Sequence, residues 1–370
     1  VHKSIEDFAS KYVSYFDRHT DGKQSRLDSA PRWGIWPQQG IVSFGHNPYE
    51  TEIISDITMH NMKAIQQAEN IDSSNYRGWR PISEDHIFEA EYWALQQAKL
   101  KIESQPSEFK GKIVVITGAA SGIGKALSLA FAVRGANVVL ADVEADALQS
   151  VLFEVEAAGA HAVALATDVT DEKQVEALAD VAWERFGAVH ILCNNAGVLI
   201  RGNLLDAQRK DWEWILGVNV WGVINGIRAF VPRMRAAGEE GHVVNTASEA
   251  GHFAGDGYGV YNTSKFAVVG LTESLARDLR NTKIGVSMLC PGQVETGIFT
   301  NTNRPLAFKK DTEDAPMDRR IADNVQAPAD VAEKVLAGIA SGTLYVFSHE
   351  DEARELIMKR NDRLIRSVGG

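Results

Sequence analysis

The segment Thr117-Gly118-Ala119-Ala120-Ser121-Gly122-Ile123-Gly124 follows a β-branched apolar run and leads into an apolar helical pattern. Glycines let a backbone turn sharply and approach a ligand with no Cβ in the way. A helix starting there offers unpaired N–H groups and the positive end of its dipole to a pyrophosphate. Such turns also occur as plain loops, so the weight comes from the strand–helix junction. The next apolar run ends in Leu140-Ala141-Asp142-Val143. A carboxylate at that point accepts both ribose hydroxyls of NAD and repels the 2′-phosphate of NADP. Val143 and Glu144 follow, with no Arg or Lys beside Asp142. NAD is therefore the expected cofactor, against the bland alternative of a solvated strand-end Asp.

A second group of residues has the chemistry of proton transfer. Tyr261 and Lys265, in Tyr261-Asn262-Thr263-Ser264-Lys265, stand one helical turn apart and project from one face. A free tyrosine has a pKa near ~10, too high for a base at neutral pH. A neighbouring cation favours the phenolate and brings it towards working pH. A Tyr and Lys at helical spacing are more often a surface pair; here Ser248, thirteen residues before Tyr261, and the glycine turn weigh the other way.

These groups need a rigid frame. Residues 113–117, 136–141, 162–167, 189–194, 242–247, 284–289 and 343–347 read as strands, separated by stretches long enough for helices. Continuous apolar strands alternating with helices imply a parallel sheet covered on both faces. The expected fold is α/β, a Rossmann-like doubly wound parallel seven-stranded sheet, preceded by a mostly helical extension. Residues 52–70 and 84–103 read as helices of that extension, and 103–107 as a linker. The expected division is 1–105 for the extension and 106–370 for the cofactor-binding domain.

With the motifs in order, residues 106–370 resemble the short-chain dehydrogenase/reductase family, in its compact single-domain branch. The resemblance rests on the 117–124 turn, Asn194-Asn195-Ala196-Gly197, Asn219, Ser248, the Tyr-x-x-x-Lys motif and Pro291-Gly292-Gln293-Val294-Glu295-Thr296. It implies an NAD-dependent oxidoreductase acting on an alcohol or carbonyl compound. The implied catalytic set is Asn219, Ser248, Tyr261 and Lys265. Ser248 would hold the substrate oxygen as charge develops, Lys265 would bond the nicotinamide ribose, and Asn219 would anchor a water relaying the proton. Implied cofactor contacts are Gly118, Ser121, Gly122, Ile123, Gly124, Asp142, Val143, Asp168, Val169, Asn195, Ala196, Gly197, Tyr261, Lys265, Pro291, Gly292, Val294 and Thr296. Asp168 and Val169 would flank the adenine, Asn195 would lie beneath the cofactor, and Val294 and Thr296 would touch the carboxamide. Asn219 also interrupts the helical pattern 211–235, where Asn is a mediocre helix former; a functional kink or a plain exposed Asn both fit. Relatives commonly pair through the helices of Asn219 and Tyr261, implying a homodimer or homotetramer.

Residues 249–258 and 297–326 should build the substrate pocket. The second is long for a connection in a compact domain and suggests a lid, the alternative being a solvated loop. His252, Phe253, Ile298, Phe299, Leu306 and Phe308 would give a mainly apolar wall, favouring a hydrophobic secondary alcohol or ketone. The tail after 328 adds a helix, the last strand and a charged helix, with Ser348-His349-Glu350 between them. The first hundred residues resemble the tail of the class II aldolase domain of bifunctional rhamnulose-1-phosphate aldolase/short-chain dehydrogenases, through residues 31–45, the helix near Glu52 and Glu91-Tyr92-Trp93-Ala94-Leu95. Aldolase chemistry needs a metal held by clustered histidines, and His2, His19, His46, His60 and His86 are scattered; no metal site is expected. That likeness makes lactaldehyde an alternative substrate.

A net charge of -11 argues against nucleic-acid binding, which needs basic surface. Cys193 and Cys290 lie far apart in apolar runs and read as reduced core thiols. No signal core or uninterrupted apolar span appears, so no membrane association and a cytoplasmic location are expected. The chain begins with Val1 rather than Met, as a processed or truncated piece would. A sugar-nucleotide epimerase would space its glycines differently and add a substrate domain. A non-catalytic NAD-binding scaffold would be expected to lose part of the Ser–Tyr–Lys set.

Overall fold

A computed structural model describes residues 2–45, 48–70, 79–93, 108–299 and 325–368. The chain forms two compact units, Val1–Ser107 and Glu108–Gly370. The expected linker, and most of the expected lid with Leu306 and Phe308, lie outside the described residues.

In the first unit, α1 (His2–His19), the antiparallel strands β1 (Trp33–Trp36) and β2 (Gly40–Ser43), α2 (Pro48–Glu69) and α3 (Glu84–Glu91) follow one another. Three of these elements, α1 and the two strands of the hairpin, were not apparent from the sequence. The polar helix α1 is held by one aromatic face, where Phe16 packs on Phe88 and Tyr92. The hairpin turns through Gln38 at φ 65 and Gly40 at φ 105, behind Pro37. The helix expected over 84–103 is seen as Glu84–Glu91; Tyr92 leaves helical geometry at φ -109 with its ring stacked on Phe88, centroids 4.5 Å apart, and residues 94–103 lie outside the described residues.

The second unit is built on seven parallel strands. In chain order it contains β3 (Ile113–Thr117), α4 (Gly122–Val133), β4 (Asn137–Asp142), α5 (Ala145–Ala157), β5 (Ala162–Ala166), α6 (Glu172–Phe186) and β6 (Ile191–Asn194). Next come α7 (Arg209–Leu216), α8 (Gly222–Ala237), β7 (Gly241–Thr246), α9 (Gly259–Leu279) and β8 (Ile284–Cys290). The unit ends with α10 (Pro328–Ser341), β9 (Tyr345–Phe347) and α11 (Glu350–Ser367). The sheet order is β5-β4-β3-β6-β7-β8-β9, with every pairing parallel. The expected α/β class and strand count therefore hold, with edges shifted by a residue or two. At β9 the reason is local: the Thr343 N–H still caps the preceding helix on the Gly338 carbonyl, so pairing starts later than 343.

Alternation along the strands divides the core between the two faces. Val114, Ile116, Val138 and Leu140 pack with Leu127, Phe131, Val151 and Val335 on one side. Ile113, Val115, Val139 and Leu192 pack with Leu178, Phe186 and Phe230 on the other. The two cysteines are free and buried. Residues 209–237 make one helical run long and apolar enough to cross a membrane, and Ile215, Val223 and Phe230 bury it in this core.

That run is where the pattern 211–235 departs from a plain α-helix. Gly217–Trp221 forms a π-helical turn joining α7 to α8, with Asn219 inside it at 0% exposure. A π-bulge inserts a residue and redirects one side chain, a device found often at functional sites. The interruption is thus a π-helical turn, and Asn219 is not an exposed Asn.

Phe131 anchors the first core, fully buried and edge-on to Phe109 with centroids 5.2 Å apart. Phe131→Ala should destabilise the second unit by about 3–5 kcal/mol, read as a lowered midpoint in urea unfolding; an unchanged midpoint would place the core elsewhere.

Candidate active site

The glycine turn is shaped by close contacts. Gly118 sits at φ 67, where a Cβ would come 2.8 Å from the Ala196 Cα. Gly122, at φ 51, faces the Thr296 methyl, and a Cβ on Gly124 would stand 2.0 Å from the Gly118 carbonyl oxygen. Only glycine allows these approaches. Ser121 caps α4 with extended backbone and makes no side-chain cap bond, leaving the helix start open. Thr117 ties the turn to the next strand, its Oγ1 accepting from the N–H groups of Asn195 and Ala196 at 3.0 and 3.1 Å. The Asn195 side chain donates to the carbonyls of Thr117 and Gly118 at 3.1 and 3.3 Å, so it lies directly under the turn.

Asp142 ends β4 beside that turn. Its Oδ2 accepts from the Ala120 N–H at 2.9 Å and its Oδ1 from the Glu144 N–H at 3.1 Å. An ionised carboxylate has about four acceptor positions, so room is left for a diol. Val143 is exposed beside it. Together, the open helix start, the Cβ-free cradle and this carboxylate fit a dinucleotide.

The other expected contacts divide. The Asp168 Oδ1 accepts from the Thr170 N–H. Val169 is buried against Gly222, and its carbonyl accepts from Asn225 at 2.9 Å. Val294 belongs to the core, bridged to Gln326, while Thr296 reaches Gly122. A groove of about 750 Å³ runs beside Gly122, Ala126, Leu129, Thr296 and Pro328, and neither Ser248, Tyr261 nor Lys265 lines it.

Those three side chains meet at the end of β7. Ser248 begins the turn after the strand; Tyr261 and Lys265 come from the first turns of α9. Ser248 lies close enough to Tyr261 to favour its phenolate, and the Lys265 Nζ lies 5.6 Å from the Tyr261 ring centroid. Lys265 is 4% exposed and donates to the Thr246 carbonyl at 3.0 Å. Burial pushes the Tyr261 phenol up to about 12, against a smaller downward pull from Ser248. Burial also brings the Lys265 ammonium down to about 8.

Asn219 joins this group through its neighbours. Its Oδ1 accepts from the Val198 N–H at 2.8 Å, and its Nδ2 donates to the Val198 carbonyl and the Ser264 Oγ at 2.9 and 3.0 Å. Ser264 in turn donates to the Tyr261 carbonyl. Ser264 and Thr117 are structural partners that sequence reasoning left unassigned; both lie inside quoted motifs. His252, expected on the pocket wall, instead packs on Tyr345 and Phe347, its Nε2 3.2 Å from the Cys290 Sγ.

Residues 112–307 match the family model for short chain dehydrogenases, and residues 1–100 match that for the second domain of class II aldolases. The chain belongs to the short-chain dehydrogenase family. The 1-deoxy-11-beta-hydroxypentalenate dehydrogenase of Streptomyces exfoliatus is 39% identical, the alignment covering 70% of this chain and 90% of the relative. The C alpha-dehydrogenase of a Sphingobium strain is 32% identical over 70% of this chain and 88% of its own length. A short-chain dehydrogenase/reductase from Burkholderia phymatum, solved in complex with NAD, has a TM-score of 0.64 and 41% identity, covering 70% of this chain and 96% of that one. The chain is an oxidoreductase with an aldolase-like N-terminal unit, and its family neighbours support NAD(H) as cofactor.

The depressed Lys265 value carries a stability consequence. Between pH ~8 and ~10.5 the unfolded dehydrogenase holds a proton on Lys265 that the folded one has released. Stability rises with pH wherever the unfolded state binds more protons. The contribution is therefore present above ~10.5 and lost as pH falls through ~8. Chemical unfolding should show wild type gaining stability relative to Lys265→Met from pH 8 to 10, by at most roughly 1.4 kcal/mol for each pH unit crossed. Parallel curves would mean that Lys265 is not buried as described.

Proposed function

We propose that this dehydrogenase interconverts a secondary alcohol and its carbonyl compound with NAD, Tyr261 acting as the acid/base. The carrying observation is the buried meeting of Ser248, Tyr261 and Lys265 at the end of β7, beside a glycine cradle with Asp142 at its rim.

Bound NAD supplies the site with a hydride acceptor. The chain's residues handle the proton and the oxygen. Tyr261 holds its proton firmly in its buried setting, so it takes one from an alcohol only when cations stand beside it. The Lys265 ammonium, 5.6 Å from the ring, is one. Ser248 donates to the substrate oxygen as charge develops there. Asn219, through Val198 and Ser264, holds the loop and helix on either side of Tyr261 in register. Asp142 accepts the ribose hydroxyls and disfavours a 2′-phosphate.

The relatives support a hydrophobic hydroxylated substrate, since one is named for a hydroxypentalenate. The aldolase-like first unit supports a second reading, a three-carbon aldehyde such as lactaldehyde supplied by a partner activity. A homodimer or homotetramer through α8 and α9, in the cytoplasm, completes the reading.

Tyr261→Phe should lower kcat about 10²–10⁴-fold, the usual contribution of positioned acid–base catalysis, with NADH affinity by fluorescence unchanged; retained turnover sinks the role. Asp142→Ala should raise the NADP-to-NAD ratio of kcat/KM about tenfold, near 1.4 kcal/mol. No change in that ratio would place cofactor choice elsewhere. Turnover of lactaldehyde and propane-1,2-diol, set against cyclic and aromatic secondary alcohols, separates the two substrate readings.

A further inference from the structure

Behind the serine turn lies a buried polar group that the hydride chemistry does not use. Glu249 follows Ser248 directly and is 6% exposed. Its N–H donates to the Pro291 carbonyl at 3.1 Å, the oxygen that also accepts from the Ser248 hydroxyl at 3.3 Å. The carboxyl turns inward: its Oε1 is buried, has no hydrogen-bond partner among the described residues, and lies 3.9 Å from the His349 Nδ1. His349, at the start of α11, is 4% exposed, with its Nδ1 2.7 Å from the Ser348 Oγ. Ser348 Oγ accepts from the Gly292 N–H at 2.8 Å. A Cβ on Gly292 would stand 2.7 Å from both the Glu249 Oε1 and the His349 Nδ1. The C-terminal strand–helix junction therefore grips the 291–292 turn from behind, and Glu249 grips it from the serine side.

A buried carboxyl with an unpartnered oxygen costs stability wherever it sits. A hydrophobic side chain there would cost less, so the arrangement is one that function can explain. We propose that Glu249, with His349 and Ser348, is a positioning residue that joins the Ser248 turn to the Pro291–Gly292 turn, so that the charge on this pair sets how both turns meet substrate and cofactor. This assignment rests on Ser248 meeting the substrate oxygen.

The surroundings make the charge on Glu249 responsive near neutrality. Burial, with a smaller push from Glu352 on α11, raises its carboxyl to about 7. The other titratable groups facing the pair are Cys290 on β8, whose thiol burial and Glu249 hold up; Lys265 on α9, which acts on Cys290; and His252 in the same turn. Lys334 on α10 donates to the Ser348 carbonyl. Below pH ~7 the carboxyl is neutral and fits its buried seat; above it, the anion, with its Oε1 unpartnered, strains the joint.

The test compares wild type, Glu249→Gln and His349→Gln from pH 5.5 to 9. It reads NADH affinity by fluorescence and kcat with a secondary alcohol that wild type oxidises. Wild type should show a step of about 3–10-fold centred near 7 in NADH affinity or in kcat. Glu249→Gln should flatten that step and keep the acid-side value. His349→Gln should lower the height of the step, since the carboxyl loses the imidazole packed with it against the Gly292 turn. A wild-type profile without a step, or one that survives in Glu249→Gln, overturns the proposal. Should Glu249→Gln fail to fold, a step of unchanged height in His349→Gln overturns it. Tyr261→Phe, measured alongside, reports separately on the acid/base reading: its retained turnover would sink that reading and leave the NADH profile to judge Glu249.

Discussion

The ammonium of Lys265 is withdrawn almost wholly from water, and it meets the Thr246 carbonyl at the last residue of β7. Removing a charge from solvent costs several kcal/mol even after the protein relaxes. One neutral carbonyl and the face of one aromatic ring offset only part of that, which is why the ammonium gives up its proton more readily than a free lysine. The site therefore depends on whatever keeps Thr246 and α9 in place. Thr246 is held by β7, which lies between β6 and β8 in the middle of the sheet. α9 is held by the π-helical turn through Asn219 and Ser264.

That dependence explains why the chemistry gathers at one end of the sheet. In a parallel sheet every strand presents its C-terminal end to the same edge. The glycine turn follows β3, Asp142 ends β4, Asn195 follows β6, Ser248 follows β7 and Pro291 follows β8. Side-chain bonds then stitch neighbouring ends together, Thr117 to Asn195 and Asn195 to Thr246. A further pair, Asn194 to Asn245 and Asn245 to Thr272, ties strands β6 and β7 to α9. Buried polar bonds of this kind fix the strand ends in one arrangement.

Much of this was legible in the chain. The seven strands announce themselves because both faces of a parallel sheet are buried, giving continuous apolar runs. The turn from Thr117 to Gly124 is legible because its geometry depends on glycines within a few positions. Other features were not. Helix α1 carries apolar residues at helical spacing, Ile5, Phe8, Tyr12 and Phe16, within a polar segment, and Phe16 packs on Phe88 and Tyr92, far along the chain. His252 read as pocket wall, yet Tyr345 and Phe347 of β9 claim its ring.

The sequence by itself determined the fold class, the position of the phosphate-cradling turn, the strand-end carboxylate and the shared helix face of Tyr261 and Lys265. Each is a matter of residues a few positions apart, where backbone sterics and helix periodicity act directly. Tertiary structure alone decided that Asn219 sits in a π-helical turn with its amide bound to Val198 and Ser264, that Lys265 is buried on Thr246, and that Glu249 meets His349 across one hundred residues. Those contacts arise only when separate strands and helices pack together, and no local periodicity encodes which distant side chains will share a buried space.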